Sequence, residues 1–486
     1  MKRRQFFAIG LGLFLVVLVG ISGQAQAKLI ISNNFYTVPL PNYIASGGPG
    51  GLMGGYPKVE GYDVVWTGMG AGHGEIFHFD GSTTTQVTNT TNVYGNFGPH
   101  ISSWLGPRNV AYVGDTGGTD EIFHYNIDTG VTTRLTSSAA RYCMLVHDFR
   151  DPYIVTEVSN AAVTPAWMDV DLWDGTQIIT LNTRIFNCKP QVSNYRVVWE
   201  AFDAWGGISD IFLYEIGPQT TRPLTGAPPY SYHDPKLSDP HLTWWRTDGN
   251  QTDVFYCQLP YTRHNVGHSN FPQIPLVDVS GPHTFWAWTD DTLGYGVFHY
   301  HYQPFPIFER LIGPPADTGT CDCMDTCHSH LAIAMHEQIT GEYNIYVWDI
   351  ANHGPMCQVS GGPRNSLGPV YVQVSSNLYV PYGYIPVVVW EEDLGSGSTK
   401  AYMATQPVCT AVGDFNGDCE VILLDFAYMA QYWGQSWNHP WEVPYPSPDL
   451  DYDMDVDWAD VAILKANWLK CHIQPPIYRN RGVTFP

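Results

Sequence analysis

The chain has 486 residues, and its formal net charge of −23 at pH 7 argues against binding to nucleic acid or to anionic membrane surfaces. Charged residues make up only 14% of the chain and aromatic residues another 14%, alongside 47 Gly and 36 Pro. This composition is typical of a mainly β protein rich in turns, and the length leaves room for one large and one small domain.

The N-terminal segment has the pattern of a secretory signal. Basic residues 2–4 precede an apolar run over residues 6–21, and residues 25–27 read Ala-Gln-Ala. This arrangement predicts a signal peptide over residues 1–27, with an uncleaved membrane anchor as the alternative. No other segment has the roughly 18 apolar residues of a membrane span. We therefore expect an exported protein, either extracellular, at the cell surface or periplasmic, with no membrane span after cleavage.

A unit of about 45 residues recurs between residues 57 and 404. Each unit has a strand led by proline, a Val-Val-Trp strand, a strand with an acid before aromatic residues, and a Thr-rich strand. The clearest copies are centred on Trp66, Tyr112 and Trp199, and the weaker ones on Val155, Trp245, Trp288, Ala334 and Trp390. Apolar and polar residues alternate within these segments, and turn residues separate them, which predicts β-strands.

Four short strands per repeat at this period are typical of a β-propeller blade. The repeat predicts a mainly β fold with a propeller over residues 28–404. Eight units can be counted, of which the third and the last are irregular, and seven blades with one irregular connection is the alternative. The last unit, about 369–404, lacks a fourth strand. Residues 29–38 are predicted to supply that strand and to close the ring.

The strand at residues 210–214 and the Thr-Arg-Leu-Thr strand at 133–136 resemble the repeat of TolB-like (WD40-like) propellers. The resemblance covers about 350 residues and implies the fold alone, because propellers include enzymes, lectins and scaffolds. No Ser-His-Asp pattern, phosphate loop or paired-carboxylate motif stands out. Whether the chain is an enzyme therefore stays open.

Cysteine and histidine positions give further predictions. An exported chain with 10 Cys is expected to form disulfides. The spacing suggests one bridge between Cys143 and Cys188 in neighbouring blades and another between Cys409 and Cys471. His78 and His124 occupy the same slot of consecutive units. We interpret His78 and His124 as packed strand residues, with a ring of histidines along the axial channel as the alternative.

Two acidic loops follow the propeller, 35 residues apart. Each places oxygen-bearing side chains at positions 1, 3, 5 and 12 of a twelve-residue loop, the spacing that Ca²⁺ prefers. The predicted metal ligands are Asp414, Asn416, Asp418 and Asp425 in the first loop, and Asp449, Asp451, Asp453, Asp457 and Asp460 in the second.

The two loops are not equivalent. Position 9 is Asp457 in the second loop but Ile422 in the first, so we expect the 449–460 loop to bind Ca²⁺ more strongly. Position 6 is Cys419 or Met454 rather than the usual glycine, at a cost of about 1 kcal/mol if that residue is left-handed.

Each loop leads into a segment with one apolar face at helical spacing. The first face comprises Phe426, Met429, Ala430 and Trp433, and the second Val461, Leu464 and Trp468. No Lys or Arg occurs between residues 411 and 464. Without a cation the acidic residues would repel one another, so folding is expected to be coupled to metal binding. An acidic, solvated linker is the alternative interpretation.

The duplicated loop and helix, with Asp at position 12, resembles a type I dockerin over about 60 residues. We assign it to residues 405–475, followed by a tail at 476–486. The resemblance implies the nine calcium ligands named above and a cohesin partner on scaffolds of polysaccharide-degrading assemblies. Loop positions 10 and 11, which help to select the cohesin, are Leu423-Leu424 and Trp458-Ala459. These pairs differ between the halves, which argues against a symmetric binding mode.

The sequence thus predicts an exported, calcium-binding, dockerin-type protein attached to a cohesin-like domain or to a cell-surface protein. Its propeller would bind a carbohydrate or protein ligand or act as a scaffold. The alternative is a propeller-fold glycoside hydrolase or polysaccharide lyase that carries a dockerin. A third interpretation is that the calcium loops only stabilise the C-terminus. Acids or histidines converging on the axial channel would favour the enzyme.

Overall fold

The computed structural model describes residues 31–32, 36–40, 43, 56–70, 72–81, 83–89, 95–102, 107–116, 119–137, 142–160, 167–203, 207–226, 229–260, 262–270, 273–290, 294–302, 307–312, 320–327, 329–337, 342–350, 356–359, 368–379, 383–393, 399–405, 408–409, 413, 421, 423–437, 447–451, 453–468 and 473–474. The predicted signal peptide and the predicted ligands Asp414, Asn416 and Asp418 lie outside these residues. Within them, no helix is long and apolar enough to cross a membrane.

The described strands form eight four-stranded antiparallel units in chain order, which we number as blades 1 to 8. Two short strands come first, β1 (Ile31–Ser32) and β2 (Tyr36–Pro39). Blades 1 to 4 contain β3 (Lys58–Glu60), β4 (Asp63–Met69), β5 (Gly74–Phe79), β6 (Thr84–Gln86); β7 (Asn96–Ser102), β8 (Asn109–Asp115), β9 (Asp120–Asn126), β10 (Val131–Arg134); β11 (Tyr142–Arg150), β12 (Tyr153–Asn160), β13 (Trp167–Trp173), β14 (Ile178–Thr180); and β15 (Phe186–Val192), β16 (Arg196–Phe202), β17 (Ser209–Glu215), β18 (Thr220–Pro223).

Blades 5 to 8 continue this order. They contain β19 (Ser231–Ser238), β20 (His241–Thr247), β21 (Thr252–Gln258), β22 (Thr262–Ser269); β23 (Leu276–Ser280), β24 (His283–Asp290), β25 (Gly294–His301), β26 (Ile307–Ile312); β27 (Thr320–Thr326), β28 (His330–Glu337), β29 (Glu342–Asp349), β30 (Met356–Gln358); and β31 (Gly368–Tyr379), β32 (Gly383–Asp393), β33 (Thr399–Thr405).

The blades form a closed ring. The first strand of every blade contacts the first strand of the next, and β31 of blade 8 contacts β3 of blade 1. Eight apolar clusters lie between successive blades, and the last joins Val387 and Val389 of blade 8 to Val64 and Trp66 of blade 1. The mainly β propeller fold is therefore confirmed, and the described part of the ring has eight blades.

Strand β2 completes the last blade. Tyr36 pairs with Thr405 and Pro39 with Tyr402 in antiparallel register, so the N-terminal segment supplies the fourth strand as predicted. Strand β1 also pairs in parallel with β30, which adds an unpredicted edge strand to blade 7. Blade 3 is irregular, because its third strand joins β15 of blade 4 through one parallel pair, Met168 and Phe186.

The acid and the threonine of the repeat form a latch within the blade. In blade 4 the backbone N–H of Ile211 donates to Thr225 Oγ1 at 2.8 Å, and this hydroxyl donates to Asp210 at 3.2 Å. Glu75 with Thr88 and Glu121 with Thr136 repeat the arrangement. The threonine hydroxyl thus accepts from a backbone N–H, and the buried acid accepts from the hydroxyl, which explains why both residues recur without catalysis.

The proposed bridge between Cys143 and Cys188 is wrong, because Cys188 is a thiol. In the strand register, Cys188 faces Glu200 of its blade, and the corresponding Glu157 of blade 3 faces Leu145. Cys143 is therefore two residues out of step, roughly 7 Å along the strand, which exceeds the reach of a disulfide. The side chains of Cys409 and Cys471 lie outside the described residues.

The histidine position that recurs in consecutive repeats lies in the third strand of the blade, away from the axis. His78 in β5 is buried, with Nε2 2.8 Å from Asp63 Oδ1. His124 in β9 is half-buried, and burial lowers its pKa. Both are packed strand residues, as the first interpretation states, and the alternative of an axial ring built from these positions is wrong.

The C-terminal module begins and ends with the paired strands β34 (Val408–Cys409) and β35 (Ile473–Gln474). It contains helices α1 (Leu423–Gln431) and α2 (Trp458–Asn467). A small core comprises Val421, Met429, Val456 and Leu464. The predicted apolar faces are only partly buried, since Phe426, Trp433 and Trp468 are exposed. Four buried side chains make a small core, so tertiary burial alone contributes little stability here.

Candidate functional sites in the acidic loop and at the axial channel

The second acidic loop brings its first three predicted ligands together. One carboxylate oxygen from each of Asp449, Asp451 and Asp453 lies within 4.8 Å of the other two. Asp449 is only 3% exposed, and its Oδ1 is buried without a hydrogen-bond partner. A buried carboxylate oxygen without a donor is costly, and a bound cation would satisfy it.

The loop backbone is wound around the same carboxylates. The N–H of Met454 donates to Asp449 Oδ2 at 2.9 Å, and the N–H of Asp455 donates to Asp453 Oδ1 at 3.1 Å. Met454 has a φ of 73°, so position 6 adopts the left-handed conformation for which glycine is usual. Met454 therefore adopts the strained left-handed conformation that the sequence analysis considered for position 6.

Asp457 and Asp460 bind the start of α2 in the structure. Asp457 is the N-cap and accepts from the N–H of Ala459 at 2.6 Å. Asp460 is fully buried and accepts from the N–H groups of Asp457 at 2.8 Å and Leu450 at 2.5 Å. The capping box thus orients the carboxylate of position 12, and the hydrogen bond from Leu450 ties it to the beginning of the loop.

Sequence reasoning missed Asp455, at loop position 7. Its Oδ1 is buried without a hydrogen-bond partner, like that of Asp449. Loss of solvation and the nearby carboxylates raise the pKa of Asp455, and loss of solvation also raises that of Asp451. In the first loop only Asp425 among the predicted ligands is described, and it is fully buried at the start of α1.

The four predicted partner-binding residues are all exposed at the helix N-termini. Leu423 and Leu424 are each 64% exposed and Trp458 is 74% exposed, with Ala459 beside it. Trp458 contacts Trp433 edge to face at 5.0 Å between ring centroids. These side chains form an exposed apolar surface around the starts of both helices. A separate groove of about 410 Å³ is lined by Phe426, Val461, Leu464, Lys465 and Trp468.

The axial channel carries a second candidate site. In every blade, one first-strand residue pairs with the second residue of the Val-Val-Trp motif or its equivalent, and all eight are polar. We call these residues the axial ring: Lys58, His100, Asp148, Gln191, Lys236, Asp278, Asp325 and Gln373. The charges of Asp148, Lys236 and Asp325, in blades 3, 5 and 7, affect the pKa of Lys58 in blade 1. Ring residues of different blades therefore face one another around the axis.

Side-chain oxygens of the axial ring join neighbouring blades. Five ring residues accept a hydrogen bond from the N–H of the residue that follows the next ring position. The donors and acceptors are Val192 to Asp148 (3.0 Å), Leu237 to Gln191 (2.8 Å), Thr326 to Asp278 (2.7 Å), Val374 to Asp325 (2.8 Å) and Val59 to Gln373 (3.0 Å). His100 and Lys236 have no side-chain oxygen that could accept such a bond. The ring residues of the blades that follow them, Asp148 and Asp278, each also accept a hydrogen bond from the N–H of the next residue in the same strand, Phe149 or Val279.

Burial changes the protonation of the ring. It raises the pKa of Asp278 to about 6 and, with the charge of Asp278, raises that of Asp325 to about 8. Burial lowers the pKa of Lys58, and burial and the charge of Lys58 lower that of His100 well below its usual value. Burial by itself lowers the pKa of Lys236, but the nearby carboxylates outweigh this effect and raise it. Mixed acids and bases therefore line the axis.

One end of the channel, where the first strands begin, holds exposed polar groups that we call the mouth. Lys189 in blade 4 and Asp234 in blade 5 have φ values of 50° and 51°, each before a proline, where blade 2 has Gly98. Such conformations are strained for residues with side chains and cluster at functional sites. Lys189 is about half exposed, and its Nζ lies 3.6 Å from Glu200 and 3.9 Å from Asp234.

Two histidines at the mouth lie beside glutamates. His233 Nδ1 lies 2.7 Å from Glu200 Oε1, and the ring packs on Trp245 at 4.3 Å. Burial by itself raises the pKa of Glu200, yet the hydrogen bond from His233 and the charge of Lys189 outweigh this effect and lower it. Glu200 is thus a carboxylate that accepts a hydrogen bond from Nδ1 of His233. In blade 3, His147 Nε2 lies 2.9 Å from Glu157 Oε1 without hydrogen-bond geometry.

Tyrosines form the opposite side of the mouth, in blades 1 and 8. Tyr56 stacks on Tyr371 with ring centroids 4.4 Å apart and planes at 7°. Lys58 Nζ donates to Tyr371 Oη at 2.9 Å. Tyr43 donates to Glu391 of blade 8. The sequence analysis did not identify these residues. It recognised the proline-led first strands as part of the repeat, but not the tyrosines in and beside them.

Several solved structures are similar to this chain at low sequence identity, and one of them is a β-propeller domain. A puromycin hydrolase mutant complexed with PGG is 12% identical, with a TM-score of 0.46, over 69% of this chain and 58% of that chain. Oligogalacturonate lyase in complex with manganese is 12% identical, with a TM-score of 0.41, over 73% and 90%. The β-propeller domain of the Trilobed protease from Pyrococcus furiosus is 9% identical, with a TM-score of 0.37, over 53% and 84%.

The similarity is partial in the larger proteins. This chain spans 53% of the prolyl endopeptidase that it matches and 58% of the puromycin hydrolase. No family model matches the chain. No curated protein matches it either.

Proposed function

We propose that the chain is an exported protein that attaches to a partner through a calcium-loaded C-terminal module and presents its propeller to a ligand. The buried, unpartnered Oδ1 of Asp449, beside Asp451 and Asp453, is the observation that carries the proposal. Oxygen ligands at this spacing fit Ca²⁺, whose charge would offset the repulsion between the carboxylates. Asp457 and Asp460 complete the predicted set in this loop, which we propose as the stronger of two calcium sites.

The attachment surface in this proposal comprises Leu423, Leu424, Trp458 and Ala459. Their exposure at the starts of α1 and α2 supports a protein-binding role, because exposed apolar clusters commonly mark interfaces. The dockerin resemblance suggests a cohesin-like domain or a cell-surface protein as the partner. The same resemblance is the basis for placing the protein in extracellular polysaccharide breakdown.

Calcium binding is tested by titrating Ca²⁺ into the full chain after chelation and following tryptophan fluorescence and helical circular dichroism. We expect a saturable response in the wild type and a large loss of affinity in Asp449→Asn. The exposed Asp203, whose side chain is 76% accessible, provides the control substitution Asp203→Asn. An unresponsive wild type would overturn the calcium proposal.

Partner binding is tested by capture of the full chain on an immobilised type I cohesin in the presence of Ca²⁺. Trp458→Lys together with Leu423→Lys should abolish capture, whereas Tyr195→Lys, at an exposed propeller turn, should not. Calcium binding without cohesin capture would favour a module that only stabilises the C-terminus.

The second candidate function is a glycoside hydrolase or polysaccharide lyase delivered by the same module. The His233–Glu200 pair at the mouth favours it, because a histidine oriented by a carboxylate is a common general base. Release of new sugar ends from polysaccharides, lost in His233→Phe but retained in Tyr195→Lys, would establish the activity.

A further inference from the structure

We infer that the mouth of the axial channel binds a neutral saccharide between the tyrosines of blades 8 and 1 and the polar wall of blades 3 to 5. This inference rests on the proposed ligand-binding role of the propeller and specifies its site and ligand class. It is independent of the calcium loop.

The tyrosine side provides a platform for a sugar ring. Tyr56 is 37% exposed, and one face of its ring is covered by Tyr371 at 4.4 Å, which fixes its orientation. Lys58 in turn holds Tyr371 through a 2.9 Å hydrogen bond. An exposed aromatic ring with a fixed orientation can pack against the C–H face of a pyranose while adjacent polar groups bind its hydroxyls.

The opposite wall provides hydrogen-bonding groups for hydroxyls. The side chains of Lys189, Asp234 and His233 are 49%, 25% and 22% exposed. Glu200 lies behind them with 6% exposure and fixes both Lys189 and His233. Donors and acceptors that are held in place by a buried carboxylate make a preorganised polar surface.

The backbone at this wall supports a role in binding. Lys189 and Asp234 occupy left-handed positions at which Gly98 in blade 2 is unstrained. Side chains are kept there despite a cost of roughly 1 kcal/mol or more. The N–H groups of Lys189 and Asp234 donate to Glu157 of blade 3 and to Glu200 of blade 4, which links the blades through the backbone but does not require the two side chains.

Charge selects against anionic saccharides. Around the mouth and axial ring, the described carboxylates Asp148, Glu157, Glu200, Asp234 and Asp278 outnumber the basic groups Lys58, Lys189, Lys236 and Arg150. Asp325, whose pKa burial raises to about 8, adds little charge at pH 7. The whole chain carries a formal charge of −23. A uronate polymer would therefore be repelled, while a neutral sugar would not.

The test is calorimetric titration of the full chain with cellohexaose, xylohexaose and mannohexaose as neutral probes and hexagalacturonate as the anionic probe. We expect at least one neutral probe to bind, with affinity reduced about tenfold in Tyr56→Ala and in Lys189→Met. Tyr56→Phe should retain most of the affinity, because it keeps the stacking face. Tyr195→Ala, at an exposed turn away from the mouth, should bind as the wild type does.

Unchanged thermal unfolding and near-ultraviolet circular dichroism would show that each variant is folded. Failure of all three neutral probes, preference for hexagalacturonate, or full affinity in Tyr56→Ala would overturn the inference. Chelation of calcium should leave saccharide affinity unchanged. A chain that binds a neutral saccharide but neither calcium nor cohesin would therefore refute only the attachment proposal. A chain that binds calcium and cohesin but no neutral saccharide would refute only the saccharide site.

Discussion

The propeller and the C-terminal module differ in how their buried carboxylates are satisfied. In the propeller, Asp148, Asp278 and Asp325 accept hydrogen bonds from the backbone of the next blade. In the module, Oδ1 of Asp449 and of Asp455 is buried without a donor. The propeller also has an apolar cluster at every blade junction, whereas the core of the module has four fully buried side chains. The propeller thus satisfies its axial carboxylates internally, whereas in our proposal a bound cation satisfies those of the module.

The largest expected effect is in the propeller core. Trp199 is fully buried between blades 3 and 4, so Trp199→Ala should destabilise the propeller by about 3–5 kcal/mol. Urea unfolding followed by circular dichroism of the β-structure measures the change. The loss should be the same with and without calcium, and a calcium-dependent loss would contradict the separation of the two regions.

Calcium should stabilise the module alone. At a free concentration of 100 times Kd, we expect the unfolding transition of the module to gain about 2.7 kcal/mol. Asp449→Asn should remove this gain, and Asp203→Asn should retain it. Scanning calorimetry with and without chelator resolves the two transitions. A shift of the propeller transition by the same amount would show that the regions unfold together.

Removing one axial link should have an intermediate effect. Gln191→Ala leaves the N–H of Leu237 without its 2.8 Å acceptor, at a cost of about 1–3 kcal/mol. Urea unfolding of the propeller measures it, with Gln177→Ala in an exposed turn as the control. An effect within experimental error would mean that water replaces the link.

Stability should fall as the pH rises through the range in which Asp325 ionises. Burial raises its pKa to about 8, above its value in the unfolded chain, so the folded state holds the proton more tightly. The destabilising contribution is absent below about pH 4, grows with pH and is complete above about pH 8. Asp325→Asn should remove it, so the variant should gain stability relative to the wild type on going from pH 5 to pH 9. Equal pH slopes of urea stability in the variant and the wild type would contradict this.

The smallest effect is expected at the exposed partner surface. Trp458 is 74% exposed, so Trp458→Ala should change the stability of the module by less than about 0.5 kcal/mol. Thermal unfolding in saturating calcium measures it. A large loss would indicate that the contact between Trp433 and Trp458 is part of the core rather than of a binding surface.

The sequence was sufficient to predict the blades, the closing strand and both helices. It was sufficient because the second strands repeat an apolar motif around residues such as Trp66 and Trp199. It did not predict that strands such as β4 and β8 are buried on both faces, since alternation suggests one exposed face. Burial on both faces follows from the packing of each blade between two others.

The axial ring could not be found in the same way. Its residue types vary from Lys58 to His100 to Asp148, so no repeat in the sequence marks them. Bulges in first strands such as β11 and β15 also shift the register, which only the paired structure reveals. The same shift misled the pairing of Cys143 with Cys188. In the C-terminal loop the ligand spacing was visible, but the buried Oδ1 of Asp455 was not.

The position of β2 also determines when the ring can be completed. Tyr36 leaves the ribosome long before Thr405, its partner in blade 8. Until β33 has been synthesised, β2 lacks its partner and blade 1 lacks a completed neighbour on one side. Unpaired strand edges invite pairing with other chains, and contacts this distant in sequence form slowly. A chain truncated before β33, or trimmed past β2, would therefore expose a sheet edge that is prone to aggregation.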